Sequence, residues 1–178
     1  MALPRDLLVS RLRNELRQCR RQFPHRFRVQ NPGLSRFPVT LTVTLVGVPG
    51  PVREGDRVSS RYRHQLRITI TQDYPYQTPI VRWRSAIFHP NIMPPADGGY
   101  ICTKLLDEWS FRSSLPAFIR GIESLLLRPN PDNPFDHDTC TRAAQYFRRH
   151  PYRPPLPHPR SAGHRKPIIV EEHGPDNR

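Results

Sequence analysis

The tripeptide His89-Pro90-Asn91 stands eleven residues before a cysteine, Cys102, in the strand-like stretch Gly99-Tyr100-Ile101-Cys102-Thr103. A thiol that attacks a carbonyl needs a hydrogen-bond donor where negative charge grows on the oxygen, and an Asn amide supplies one without adding charge. Cys102 is therefore the candidate nucleophile and Asn91 the candidate donor. The other cysteines, Cys19 and Cys140, are far from it in sequence, so neither a disulfide framework nor a paired-cysteine zinc site is expected. His137, Cys140 and His150 are conceivable metal ligands, but no second Cys pair accompanies them, and ordinary helix-surface positions are the simpler reading.

These groups must be positioned by regular elements. Leu8, Leu12, Leu16, Cys19 and Phe23 recur at spacings of three and four and predict a helix from about Pro4 to Gln22 whose other face is arginine. Phe37, Val39, Leu41, Val43 and Leu45 alternate with Pro38 and three threonines, a period of two that predicts a strand with one buried face. Leu66, Ile68 and Ile70 repeat the pattern. Arg26 to Gln30 reads as a short first strand and Ile80 to Arg84 as a fourth, with turns at Pro49-Gly50-Pro51 and Glu54-Gly55-Asp56 separating an antiparallel meander.

After Arg84 the periodicity stops for about thirty residues, which suggests a functional loop, and both His89 and Cys102 lie in it. Regularity returns with Ser113 or Ser114 as a helix cap, followed by Leu115, Phe118, Ile119, Ile122, Leu125 and Leu126 on one stripe that ends at Arg128-Pro129. A short helix from about Asp138 to Arg149 follows. Residues 151–178 hold seven prolines and few large apolar side chains, so a catalytic domain over 1–150 and a flexible basic tail over 151–178 are expected.

At 178 residues and 36% apolar content, one core is expected. No apolar run approaches the roughly 20 residues a membrane span needs, and no signal-like stretch opens the chain. A cytoplasmic protein follows as the expectation. The net charge of +13 raises nucleic-acid binding. Of 28 basic residues, however, only Lys104 and Lys166 are lysines, a bias that also follows from a GC-rich genome. Eight arginines between Arg5 and Arg28 face only Asp6 and Glu15, so an acidic protein partner suits that surface as well as nucleic acid does.

The order helix, four-stranded meander, active-site loop, core helix and short C-terminal helix resembles the α+β fold of the ubiquitin-conjugating enzymes. Tyr74-Pro75-Tyr76-Gln77-Thr78-Pro79-Ile80-Val81 resembles the family's Tyr-Pro-x-x-Pro-Pro-x-Val segment. Phe88-His89-Pro90-Asn91-Ile92 is similar to its His-Pro-Asn loop, Ile101-Cys102 to its cysteine, and Glu108-Trp109-Ser110 to its Trp-Ser turn. Arg128-Pro129-Asn130-Pro131-Asp132-Asn133-Pro134 is similar to its Pro-Asn-Pro gate. The five motifs occur in order over residues 5–149.

The resemblance implies transthiolation without a cofactor: Cys102 takes the C-terminal carboxyl of a ubiquitin-like protein from an activating enzyme as a thioester and passes it to an amine. It gives Asn91 one of two roles, oxyanion donor or loop brace, and makes His89 a brace through backbone hydrogen bonds. Tyr100 and Trp109 are packing residues flanking the site. Asp132, Asn133 and Asp136 are the substrate-gate candidates. Arg13, Arg17, Arg20, Tyr76 and Phe111 are the partner-binding candidates. A deconjugating protease and an acceptor protein are further partners that the resemblance admits.

Three departures stand out. Loop Met93-Pro94-Pro95-Ala96-Asp97-Gly98-Gly99 lengthens the interval from Asn91 to Cys102. Asn133 stands where many members carry an acidic residue, and a neutral amide orients an amine but takes no proton from it near pH 7. Phe111-Arg112 replaces the Pro-Ala that eukaryotic members present to ring-finger ligases. With the arginine bias and the absence of a final long helix, these suggest a bacterial relative, some of which act in antiviral defence. Two other classes are a catalytically inactive binding module of the same fold, which Cys102 and Asn91 argue against, and a basic nucleic-acid-binding protein, which has no need of a thiol in such a loop. Nucleic acid is therefore not an expected partner.

Overall fold

A computed structural model describes residues 2–30 and 33–154. Helix α1 (Arg5–Gln22) buries Leu8, Leu12, Leu16 and Cys19 on one stripe, and Arg13, Arg17, Arg20 and Arg21 are exposed on the other face. The sheet is antiparallel in the order β1 (Phe27–Val29), β2 (Val39–Glu54), β3 (Arg57–Ile70), β4 (Ile80–Trp83). Alternation puts Leu41, Val43, Leu45, Leu66, Ile68, Ile70, Val81 and Trp83 on the inner face. Helix α3 (Leu115–Leu127) covers that face with Phe118, Ile119, Ile122 and Leu126 and packs on α1.

One expected turn is not a turn. Pro49-Gly50-Pro51 lies inside β2, which continues to Glu54 with a break in register between Val46 and Gly50. Prolines are tolerated in a strand where the ladder is already interrupted. The glycine is required sterically, because a Cβ at Gly50 would lie 2.6 Å from the ring of His64. The real reversal is the tight link after Glu54, where Gly55 has φ of 60°.

Helix α3 begins where expected, with Ser114 at the N-cap position, yet no serine side chain caps it. The Leu115 N–H is taken at 2.9 Å by the carboxylate of Glu15, from the buried face of α1. Helix α4 (Asp138–Arg149) packs Ala143 and Phe147 against Phe88. Beyond it Tyr152 turns back onto Phe147 and shares a 2.8 Å hydrogen bond with Ser60 of β3. The rest of the expected tail, 155–178, lies outside the described residues. Among the described residues no helix is long and apolar enough to cross a membrane.

Candidate active site

The segment between β4 and α3 folds around a minimal β-ladder. Ile92 and Ile101 form an antiparallel bridge, the Met93 N–H donates to the Tyr100 carbonyl at 2.8 Å, and the Cys102 N–H donates to the Asn91 carbonyl at 2.9 Å. Asn91 and Cys102 are therefore cross-strand neighbours. The extra residues form the tip, a 3-10 turn at Pro95–Asp97, so lengthening the loop does not move its ends apart. Gly99 fixes this hairpin to the sheet: its carbonyl accepts from the Trp83 N–H at 2.7 Å, its φ is 66°, and a Cβ there would lie 2.3 Å from the Trp83 carbonyl oxygen.

His89 is wholly buried. Its Nδ1 accepts the Asn91 N–H at 3.0 Å and its Nε2 lies 3.0 Å from the Leu125 carbonyl, to which a neutral imidazole protonated on Nε2 donates. Burial pushes its pKa down to about 4, so the ring is neutral at physiological pH. Asn91 is also buried, and its amide is fully engaged. Nδ2 donates to the carbonyls of Asn130 (3.0 Å) and Asn133 (2.9 Å), and Oδ1 accepts the Asn130 N–H at 2.9 Å. Both amide hydrogens thus hold the gate segment against the cysteine loop.

Cys102 is half-buried, whereas Cys19 and Cys140 are buried. Partial burial raises its thiol pKa, and the charge of Asp107, on the short helix α2 (Lys104–Asp107), raises it further. Burial, then Asp97, then Cys102 push the Cys140 thiol up to about 11. His137, at the N-cap of α4, accepts the Thr139 N–H at 3.3 Å, so this histidine and Cys140 have structural places in α4.

The gate candidates separate. The Asp132 side chain is 90% exposed and its carboxylate sits 3.8 Å from Arg148. Asn133 is exposed and contributes its backbone carbonyl, and Asp136 is exposed. Phe135 stacks on Tyr100 (6.3 Å between centroids), and the guanidinium of Arg82 lies 3.8 Å from the centroid of the same Tyr100 ring. Trp109 braces the preceding loop through Nε1, which donates to the Pro75 carbonyl at 3.0 Å.

Of the partner-binding candidates, Tyr76 and Phe111 are exposed, with tilted rings 5.3 Å apart between centroids. Arg11 places its guanidinium 5.0 Å from the Phe111 ring and donates to the carbonyls of Phe111 (3.0 Å) and Ser113 (2.9 Å). It also pairs with Glu15 at 2.8 Å, and Glu15 in turn accepts from the Tyr74 hydroxyl at 2.6 Å. Sequence reasoning missed Arg11, Glu15 and Asp107. The signal for Glu15 was its position inside the apolar stripe, three residues from Leu12 and next to Leu16.

The family model for ubiquitin-conjugating enzymes matches residues 11–153. The chain is 44% identical over 70 residues to ubiquitin-conjugating enzyme E2 3 of Arabidopsis thaliana, covering 39% of this chain and 45% of that relative. It is 31% identical over 127 residues to ubiquitin-conjugating enzyme E2 N of Macaca fascicularis, covering 61% and 82%. The E2 domain of a Toxoplasma gondii ubiquitin conjugating enzyme superposes with a TM-score of 0.58 at 26% identity, over 80% of this chain and 87% of that one. These relatives are eukaryotic and lend no support to a bacterial origin. With the cysteine hairpin, the bracing asparagine and the four-stranded meander in place, the chain belongs to the ubiquitin-conjugating enzyme family.

Proposed function

We propose that this protein accepts a ubiquitin-like modifier from an activating enzyme as a thioester on Cys102 and transfers it to an amine acceptor. The observation that carries the reading is the placement of Cys102: the one cysteine of three that is not buried is backbone-paired to Asn91 of the His-Pro-Asn loop. In charging, the Cys102 sulfur attacks the modifier's thioester carbonyl, a new C–S bond forms, the old one breaks, and the activating enzyme's thiolate leaves. In transfer, an amine attacks the same carbonyl, the C–S bond to Cys102 breaks, and the proton shed by nitrogen ends on the thiolate. Asn91 serves as a brace, since both of its amide hydrogens are committed to the gate.

The exposed arginines of α1 and the Tyr76–Phe111 pair are the surfaces offered to the activating enzyme and to other partners. A cytoplasmic location, a deconjugating protease and a protein acceptor complete the reading.

The test is a gel with and without reductant after incubation with ubiquitin, a ubiquitin-activating enzyme and ATP. Wild type is expected to give a reductant-sensitive adduct, and Cys102→Ser a resistant ester. An adduct that survives in Cys102→Ala, or that maps to Cys19 or Cys140, overturns the assignment.

A further inference from the structure

Position 133 of the gate supplies no carboxylate to meet an incoming lysine. Asn133 is neutral and its carbonyl is held by Asn91, and the Asp132 carboxylate faces Arg148. Asp97 accepts from the Thr139 hydroxyl at 3.1 Å and lies 3.9 Å from His137. Asp107 is different. Its N–H returns to the carbonyl of Thr103, the residue after the nucleophile, at 3.3 Å, so it stands one helical turn beyond Cys102. Helical side chains lean toward the helix N-terminus, and the N-terminus of α2 is the end that adjoins Cys102. It is exposed and has no hydrogen-bond or ion-pair partner among the described residues. Its charge also raises the pKa of the Cys102 thiol, second to burial.

We propose that Asp107 receives the ammonium group of the acceptor lysine beside the thioester, in place of an acidic residue at position 133; this rests on the transfer reaction proposed above. The carboxylate draws the cationic side chain to the carbonyl and holds it there. The ammonium first loses one proton to solvent. The free amine then forms the C–N bond, Cys102 leaves as thiolate, and the second nitrogen proton passes to sulfur, giving a neutral amide and a thiol. The charged neighbours of this turn are Lys104 and Glu108 on the same segment, and the titratable group facing Cys102 from α4 is Cys140.

The full chain is charged with ubiquitin, the activating enzyme is quenched, and discharge of the pre-formed thioester is followed with free lysine and with hydroxylamine, a nucleophile already neutral at pH 7. Asp107→Asn is expected to slow discharge to lysine roughly fivefold at low salt, the scale of one exposed charge pair. That loss should shrink at high salt, be restored by Asp107→Glu, and be under about twofold with hydroxylamine, which gains nothing from the charge attraction. In the uncharged protein, Asp107→Asn should move the pH profile of Cys102 alkylation to lower pH. Equal lysine discharge by wild type and Asp107→Asn, or an equal loss with both nucleophiles, overturns the assignment. A wild type that never charges overturns the proposed function instead.

Discussion

The carboxylate of Glu15 accepts the N–H of Leu115 at 2.9 Å, so a side chain from the first helix caps the core helix a hundred residues later. The same carboxylate takes the Tyr74 hydroxyl and the Arg11 guanidinium, and Glu15 is only 5% exposed. A negative charge at a helix N-terminus is stabilised by the unpaired N–H groups it meets there. Through Arg11 the network reaches the backbone that presents Phe111.

Glu15→Ala removes the carboxylate that the Tyr74 hydroxyl, the Arg11 guanidinium and the Leu115 N–H share. The expected loss is roughly 3 kcal/mol, the scale for breaking a buried charged network by deleting one member. Denaturant unfolding measures it, and a loss below about 1 kcal/mol would assign Glu15 no more than the worth of one ordinary hydrogen bond.

Asn91→Ala deletes three hydrogen bonds between the cysteine loop and the gate and leaves the Asn130 N–H unsatisfied. We expect about 2 kcal/mol of destabilisation, and a larger loss for Asn91→Asp, whose second oxygen would face two carbonyls. Melting temperature is read beside single-turnover discharge to lysine. An unchanged melting temperature with discharge slowed about 10²-fold would make Asn91 an oxyanion donor after all.

His89 makes stability depend on pH. Burial holds its pKa near 4 in the folded chain against an ordinary value of 6.5, so below pH 6.5 the unfolded chain binds a proton that the folded chain cannot. The contribution is complete above that value and is lost as pH falls through the window to about 4, amounting to roughly 3 kcal/mol. Unfolding midpoints across this range should show a flatter profile for His89→Gln than for wild type. Because burial also lowers the pKa of His64, the variant keeps part of the slope.

Arg13, Arg17 and Arg20 are exposed and have no acidic partner among the described residues. Replacing all three by Glu is expected to slow charging by about tenfold at low salt through lost electrostatic steering. The deficit should narrow as salt rises. An unchanged rate at low salt would make this face ordinary solvated surface, and an unchanged melting curve would show that the fold is intact.

By itself the sequence determined the elements whose signal is local. The α1 stripe, the alternation of β2 and β3 and the α3 stripe follow from spacings that a few neighbouring residues define. The ordered motifs around Cys102 carried the family, and hence the candidate nucleophile. What tertiary structure decided depends on residues that meet only after folding. Pro49-Gly50-Pro51 has turn chemistry, but pairing with β3 absorbed it as an irregularity, because a glycine was needed against His64. Helix α2 is too short to show a period. Whether the longer loop separated Asn91 from Cys102 was settled by the bridge at its base. The partners of the Asn91 amide are carbonyls some forty residues away, and the cap of α3 is a carboxylate from α1. A periodicity is written along the chain, whereas a hydrogen-bond partner is chosen by packing, which no local pattern encodes.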